Sequence, residues 1–122
     1  MKKILLADDE PAVRRLVTAT LADETRYQIL EASDGAEALR LARAERPAMM
    51  LLDVNMPEID GFEVCRVLKS DPETHEIVVV MLTAMAQTAD RERGAAVGAD
   101  GFFTKPFSPL ALLEKVEEVL GG

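Results

Sequence analysis

Three aspartates stand at the ends of short apolar segments, positions that a folded sheet brings to one edge. Asp8 and Asp9 directly follow the first apolar segment, and Asp53 directly follows the third. Isolated aspartates ionise at neutral pH, so clustered ones repel one another and attract a hard divalent cation. Mg²⁺ typically takes one or two carboxylates together with a substrate phosphate. These residues therefore predict a magnesium-dependent phosphate site.

A threonine and a lysine complete the same chemistry. Thr83 directly follows the fourth apolar segment, and its hydroxyl can donate a hydrogen bond to a phosphate oxygen. Lys105 follows the fifth and supplies a compact positive charge for another phosphate oxygen. Phosphoryl transfer depends mostly on positioning and charge neutralisation, and a carboxylate nucleophile yields an acyl phosphate. Asp53, predicted between the acidic pair and Lys105, is the candidate nucleophile and needs no general base.

Each of these residues also has an ordinary structural interpretation. An Asp-Asp-Glu segment after a strand is usually a solvated turn, and Thr83 or Lys105 alone suits a helix start or an exposed surface. The functional interpretation depends on all of the groups meeting at one edge of one sheet. His75 lies in a polar loop and Cys65 among apolar residues, so neither is a candidate.

Five apolar segments alternate with five helical patterns, which predicts the sheet that positions these groups. Several segments are continuous rather than alternating, as in strands that helices cover on both faces. The segments are Ile4–Ala7, Tyr27–Ala32, Ala48–Leu52, Ile77–Leu82 and Gly101–Thr104. Strict alternation predicts a parallel α/β sheet with right-handed crossovers. Ligands bind such sheets beyond the carboxyl ends of the strands.

Helical patterns fill the intervals between these segments. Apolar residues recur at helical spacing over residues 13–21, with Pro11 in the first turn. Asp34, with Glu37 three residues later, gives the second helix a capping-box-like start. The other three are predicted at about Gly61 to Lys69, at about Thr88 to Val97, and after Ser108-Pro109. Gly94, inside the fourth helix, indicates either a weakened, movable helix or a close-packing position.

Composition and charge narrow the function and the compartment. The 122 residues fit a single domain, predicted over residues 1–122, and 48% hydrophobic residues allow an ordinary core. The formal net charge of −8 argues against direct nucleic-acid binding and against an anionic membrane as partner. A single cysteine excludes an intrachain disulfide, and no secretory signal or long apolar segment stands out. A cytoplasmic location is therefore predicted.

The ordered motifs resemble those of the receiver domains of two-component response regulators, including the free-standing chemotaxis type. The resemblance covers essentially the whole chain, and the ordered set is far more specific than any one motif. The matching segments are Leu6-Ala7-Asp8-Asp9-Glu10, Asp53-Val54-Asn55-Met56-Pro57, Asp60-Gly61, Leu82-Thr83-Ala84, Gly98-Ala99-Asp100-Gly101 and Lys105-Pro106-Phe107. The resemblance implies a flavodoxin-like, doubly wound sheet of five parallel strands in order 2-1-3-4-5, with five helices.

The resemblance also implies a phosphoacceptor and a metal site. Asp53 would accept a phosphoryl group from a histidine kinase or a histidine phosphotransfer protein. Asp9 would contact Mg²⁺ more directly than Asp8, which would act partly through water. The full set of implied ligands is Asp8, Asp9, Asp53 and the backbone carbonyl of Asn55.

A switch is implied as well. Thr83 and Lys105 would contact the phosphoryl oxygens, and the peptide bond between Lys105 and Pro106 would be cis. Phosphorylation would draw Thr83 toward the phosphate and let Phe102 fill the vacated space. The surface formed by the fourth helix, fifth strand and fifth helix would then change. Many relatives have tyrosine at the position of Phe102. Phenylalanine lacks the hydroxyl, so a step that relies on its hydrogen bond is not expected here, whereas a rotation driven by burial of the ring is still available.

Other interpretations require features that differ from those present. A nuclease-like or primase-like domain would have a second acid where Asn55 stands, and a haloacid-dehalogenase-type phosphatase would have a DxD motif on its first strand. A flavin module would need a Ser/Thr/Gly-rich phosphate loop. The alternative that stays open is an interaction domain of the same fold that does not use phosphate. The expected activity is signalling rather than enzymatic, and the sequence does not identify the kinase, the downstream partner or effector, or the oligomeric state.

Overall fold

The computed structural model describes residues 2–22, 26–83 and 88–121 of the chain. Within these ranges five strands alternate with five helices, and their ends lie within two residues of the predicted ones. The strands are β1 (Lys2–Ala7), β2 (Tyr27–Ala32), β3 (Met49–Asp53), β4 (Val78–Thr83) and β5 (Gly101–Thr104). The helices are α1 (Pro11–Leu21), α2 (Gly35–Glu45), α3 (Gly61–Ser70), α4 (Thr88–Ala96) and α5 (Pro109–Leu120).

The five strands form one parallel sheet in the order β2-β1-β3-β4-β5, which confirms the predicted flavodoxin-like topology. The chain passes from β1 to β2 on one side and then returns to β3 on the other. The strand order therefore reverses between β1 and β3, and the crevice beyond their carboxyl ends is the expected ligand position. None of the described helices has the length and apolar character needed to cross a membrane.

Both faces of the sheet are buried, because successive side chains of each central strand point into different cores. Along β1, Leu5 and Ala7 pack into one core, while Ile4 and Leu6 pack into the other. Helices α2 and α3 cover the first core, with buried residues Ala38, Ala42, Val64 and Leu68. Helices α1 and α5 cover the second, with buried residues Val17, Leu21, Leu112, Val116 and Leu120. This double burial accounts for the continuous apolar segments of the sequence.

Side-chain caps fix the positions at which three helices begin. Asp34 Oδ1 accepts a hydrogen bond from the backbone N–H of Glu37 at 2.8 Å, and Glu37 Oε1 accepts one from Ser33 N at 2.9 Å. This reciprocal pair confirms the predicted capping box. Asp60 caps α3 and Ser108 caps α5 in the same way. The caps of α3 and α5 hold the ends of the two loops that leave the sheet after β3 and β5.

Lys69 ties three segments together at the amino end of the strands. Its Nζ donates to the carbonyls of Ile77 at 2.7 Å and His75 at 3.1 Å, and to Asp100 Oδ2 at 2.8 Å. The same Asp100 oxygen accepts a hydrogen bond from Val79 N at 2.8 Å. The end of α3, the start of β4 and the loop before β5 are therefore held to one another.

Candidate functional site

The side chains of Asp8 and Asp53 lie side by side where β1 and β3 end. Ala7 of β1 is in register with Leu52 of β3, and each aspartate is the next residue of its strand or loop. Asp8 is fully buried and Asp53 is 3% exposed. Two buried carboxylates at close range repel each other, so this arrangement favours a bound cation or a retained proton.

The ammonium group of Lys105 faces three carboxylates. Its Nζ lies 2.8 Å from Glu10 Oε1, 3.0 Å from Asp8 Oδ2 and 3.5 Å from Asp53 Oδ2. Burial alone lowers the pKa of Lys105, but the hydrogen bonds to Glu10 and Asp8 and the nearby negative charges raise it above its usual value. Lys105 therefore stays charged at neutral pH, next to the candidate nucleophile.

Asp53 holds its proton more tightly than an ordinary aspartate. The pKa of Asp53 is raised from 3.8 to about 6, chiefly by burial and in addition by the nearby charge of Asp8. Two contacts oppose this shift: the N–H of Asn55, which donates to Asp53 Oδ1 at 3.1 Å, and the ammonium group of Lys105. A cation bound beside Asp53 would stabilise the carboxylate and oppose the effect of burial.

The carboxylates of Asp8, Glu10 and Asp53 offer oxygen atoms that all lie within 4.8 Å of one another. This donor set fits a hard divalent cation such as Mg²⁺, which prefers oxygen ligands. Asp9 and Asn55 are exposed, and among the described residues Asp9 is not part of this group. Their implied contacts with the ion stay predictions. Glu10 was not assigned a role from the sequence, although it is the third acid in succession after β1.

The pairing of β4 with β5 brings Thr83 and Lys105 together. Thr83 is the last residue of β4, is 2% exposed and is in register with Thr104. Lys105 is the next residue after Thr104, and its backbone N–H donates to the carbonyl of Thr83 at 2.8 Å. The peptide bond between Lys105 and Pro106 is cis. All four strand ends singled out in the sequence thus meet at one edge of the sheet.

Two glycines hold the loop that follows Asp53. A Cβ atom on Gly61 would lie 2.1 Å from the carbonyl oxygen of Asp53, and one on Gly35 would lie 2.4 Å from the carbonyl oxygen of Ile59. Gly61 N also donates to the carbonyl of Val54 at 3.1 Å. Distances this short leave no room for a side chain. The glycine of the Asp60-Gly61 motif therefore lets the start of α3 lie directly against the backbone of Asp53, the candidate nucleophile.

The ring of Phe102 packs against the backbone of α4 at Gly94. A Cβ atom on Gly94 would lie 2.2 Å from Phe102 Cζ. The ring is half-buried and packs against the core that α2 and α3 cover. Of the two interpretations of Gly94, the close-packing one is confirmed, because the glycine makes the space that the ring occupies.

Arg93 links α4 to the start of α3, a contact that sequence reasoning did not identify. Its Nη2 lies 3.3 Å from Asp60 Oδ2, and its guanidinium carbon lies 4.4 Å from the centre of the Phe62 ring. The pair is exposed, so its contribution to stability is on the order of 1 kcal/mol or less. No periodic pattern in the sequence predicts this contact of Arg93, because the contact depends on how α3 and α4 cross.

Comparisons with known proteins agree with this geometry. A family model described as the response regulator receiver domain matches residues 4–117. The chain is 40% identical over 119 residues to the probable transcriptional regulator ycf27 of Cyanophora paradoxa, which covers 98% of this chain and 48% of that protein. The chain thus spans about half the length of the curated relatives of this kind.

Two solved structures extend the likeness to the whole fold. The chemotaxis protein CheY4 of Vibrio cholerae has a TM-score of 0.91 and 36% identity, with 98% of each chain covered. The receiver domain of the sensor histidine kinase PA1611 of Pseudomonas aeruginosa PAO1 has a TM-score of 0.88 and 27% identity, with coverage of 99% and 98%. That structure contains a magnesium ion coordinated in its active site cleft.

Proposed function

Because the chain belongs to the response regulator receiver domain family of two-component phosphorelay signalling, we propose that residues 1–122 form a receiver domain that is phosphorylated on Asp53. The observation that carries the assignment is the convergence of Lys105 on the buried carboxylates of Asp8 and Asp53. A buried acidic pair beside one largely buried ammonium group provides a nucleophile, a cation site and a partner for phosphoryl oxygens.

The two oxygens of Asp53 have different surroundings. The N–H of Asn55 fixes Oδ1, whereas Oδ2 lies on the side of Lys105. We assign the attack to Oδ2: a bond forms between Oδ2 and phosphorus, and the bond from phosphorus to the donor's histidine nitrogen breaks. The histidine keeps the electron pair of the broken bond. Lys105 then donates to one phosphoryl oxygen, and the hydroxyl of Thr83 is assigned to another.

The metal site is assigned to the same edge of the sheet. Asp8 and Asp53 would hold Mg²⁺, and the carboxylate of Glu10 lies in the same group. Asp9 and the backbone carbonyl of Asn55 are proposed as further ligands because of the resemblance to receiver domains. When bound, the ion neutralises charge on the transferred phosphoryl group. The acidic chemistry of the donor set and the magnesium-containing relative support this assignment.

An apolar groove beside the site suits docking of the phosphodonor. It has a volume of about 420 Å³, and its apolar lining is Ala12, Val13, Leu16, Pro106 and Phe107. Glu10 and Lys105 also line it, so a protein seated in the groove would reach the mouth of the pocket that holds Asp53. We assign the groove as the docking site of a histidine kinase or histidine phosphotransfer protein, whose reactive histidine must approach Asp53.

The output is binding of a downstream protein or of a fused effector, rather than release of a chemical product. Thr83 is buried beneath the site, and Phe102 lies on the neighbouring strand against α4. Movement of Thr83 toward a phosphoryl group would alter the packing of that ring and thereby the surface of α4, β5 and α5. The net charge of −8 speaks against direct contact with nucleic acid. The cytoplasmic location stays a prediction.

Labelling with a small phosphodonor tests the assignment of Asp53. Acetyl phosphate and Mg²⁺ should add the mass of one phosphoryl group to the wild-type protein, because a small donor needs only the nucleophile and the charges around it. Asp53→Ala should remain unlabelled. Intact-protein mass spectrometry measures both. Labelling of the variant would contradict the assignment, and an unlabelled wild type would favour the phosphate-independent interaction domain.

Magnesium should raise the melting temperature of the wild-type protein, since it binds the folded carboxylate cluster in preference to the unfolded chain. At a concentration tenfold above the dissociation constant, the gain is about 1.4 kcal/mol in the free energy of unfolding. Thermal scans with and without Mg²⁺ measure the shift. Asp8→Asn should lose this shift, while Glu45→Gln, which removes a half-buried carboxylate from an ion pair with Lys3 elsewhere on the protein, should keep it. A full shift in Asp9→Ala would remove Asp9 from the ligand set.

A further inference from the structure

Among the described residues, Glu10 makes the shortest of the three ion pairs of Lys105. The distance is 2.8 Å, against 3.0 Å to Asp8 and 3.5 Å to Asp53. Glu10 is also the N-cap residue of α1, yet its side chain makes no capping hydrogen bond among the described residues. Its backbone N–H donates to Asp8 Oδ1 at 2.8 Å. The backbone of Glu10 is thus held by Asp8, and its carboxylate is directed to Lys105 instead of to the helix.

A phosphoryl group on Asp53 would compete for the same lysine. A lysine ammonium has three N–H donors, and three carboxylates now surround Lys105. Asp8 is fully buried, so losing Lys105 would remove its ammonium partner where water cannot replace it, which is costly while no cation is bound. The side chain of Glu10 is 57% exposed, so water can replace its partner at little cost. Glu10 is therefore the partner that Lys105 can release.

We propose that Glu10 is a positioning residue for Lys105: it holds the ammonium group toward the mouth of the pocket and opposes its transfer to the phosphoryl group. This inference rests on the function proposed above. It predicts that the unphosphorylated state is favoured by the Glu10–Lys105 pair and that losing the pair strengthens phosphoryl binding. Because the Glu10 side of this ion pair is exposed to water, losing the pair corresponds to about a two- to fivefold change in an equilibrium constant.

Beryllium fluoride, which binds a carboxylate as a phosphoryl analogue, provides the test. Its affinity is measured by ¹⁹F NMR titration at a Mg²⁺ concentration that saturates each variant, with the Mg²⁺ affinity determined separately. Glu10→Gln should bind the analogue about two- to fivefold more tightly than the wild type. Glu10→Asp keeps the charge but is one methylene shorter, so it should also gain affinity. Glu45→Gln is the matched control, because it removes a carboxylate at 2.9 Å from Lys3, and should not change the affinity.

A variant of Lys105 shows whether the gain in affinity comes from the Glu10–Lys105 contact or from the loss of negative charge in general. In a Lys105→Met background the gain from Glu10→Gln should disappear, since Glu10 then has no ammonium group to hold. A gain that persists there, or affinity equal to wild type in both Glu10 variants, would overturn the inference. Weaker analogue binding together with weaker Mg²⁺ binding would instead make Glu10 a metal ligand and also overturn it. Failure of acetyl phosphate to label Asp53 would overturn the proposed function, whereas normal labelling with unchanged affinity overturns this inference alone.

Discussion

Gly61→Ala is expected to destabilise the protein by about 3 kcal/mol, the upper part of the range for overpacked positions. The added Cβ would lie 2.1 Å from the carbonyl oxygen of Asp53 and 2.9 Å from Val54 Cα. Both neighbours are backbone atoms, so no side chain can rotate away, and either α3 or the end of β3 has to shift. Chemical denaturation measures the change in the free energy of unfolding.

The same substitution should also disturb the chemistry, because the backbone that would be displaced carries the nucleophile. We expect the folded fraction of Gly61→Ala to be phosphorylated by acetyl phosphate more slowly than the wild type. Gly101→Ala is the control: within the described part of the chain, the atom nearest to its Cβ would be Lys115 Nζ at 3.7 Å. That variant should stay within about 1 kcal/mol of the wild type. Equal stability of the two alanine variants would show that the contact at Gly61 does not constrain the fold.

Asp53→Asn is expected to stabilise the metal-free protein at pH 7 by roughly 1–3 kcal/mol, since a pKa raised from 3.8 to about 6 measures the cost of ionising this group in place. Asparagine has nearly the same shape, and its side-chain oxygen can still accept the hydrogen bond from Asn55 N. Lys105 keeps Asp8 and Glu10 as partners. Thermal or chemical unfolding in the absence of divalent cations measures the gain.

The pH dependence of the free energy of unfolding tests the same prediction independently. Between pH 3.8 and about 6 the folded state retains the proton of Asp53 that the unfolded state has lost. The free energy of unfolding contributed by this group therefore falls as the pH rises through that window and stays low above it. Asp53→Asn should lack this fall, whereas Asp34→Asn, at a helix N-cap, should retain it and gain no stability at pH 7. A loss of stability in Asp53→Asn would contradict a crowded acidic pocket.

The sequence was sufficient for the fold because the fold depends on periodic signals. Continuous apolar segments marked strands that are buried on both faces, and the capping pair of Asp34 and Glu37 marked a helix start that the structure reproduces. The site followed from topology alone: parallel strands place their carboxyl ends at one edge, so Asp53, Thr83 and Lys105 had to be neighbours.

Contacts that depend on side-chain direction or on helix crossing were not predictable in this way. Glu10 follows two other acids, and nothing in the sequence shows that its carboxylate turns away from α1 toward Lys105. Gly94 had two interpretations until the ring of Phe102 was seen to occupy its space. The contact of Arg93 with Asp60 joins residues 33 positions apart, and its existence depends on the angle between α3 and α4.

The hydrogen bonds of Asp100 fix the position of the chain just after the carboxyl end of α4. The backbone N–H of Asp100 donates to the carbonyl of Val79 at 2.8 Å, and its carboxylate accepts from Val79 N and from Lys69. None of these groups would contact a phosphoryl group, so all of them should survive phosphorylation. The amino end of α4 follows the strand that carries Thr83. We therefore expect α4 to rotate about a hinge at Asp100 on phosphorylation. The displacement should be greatest at its amino end, which follows Thr83 in the chain.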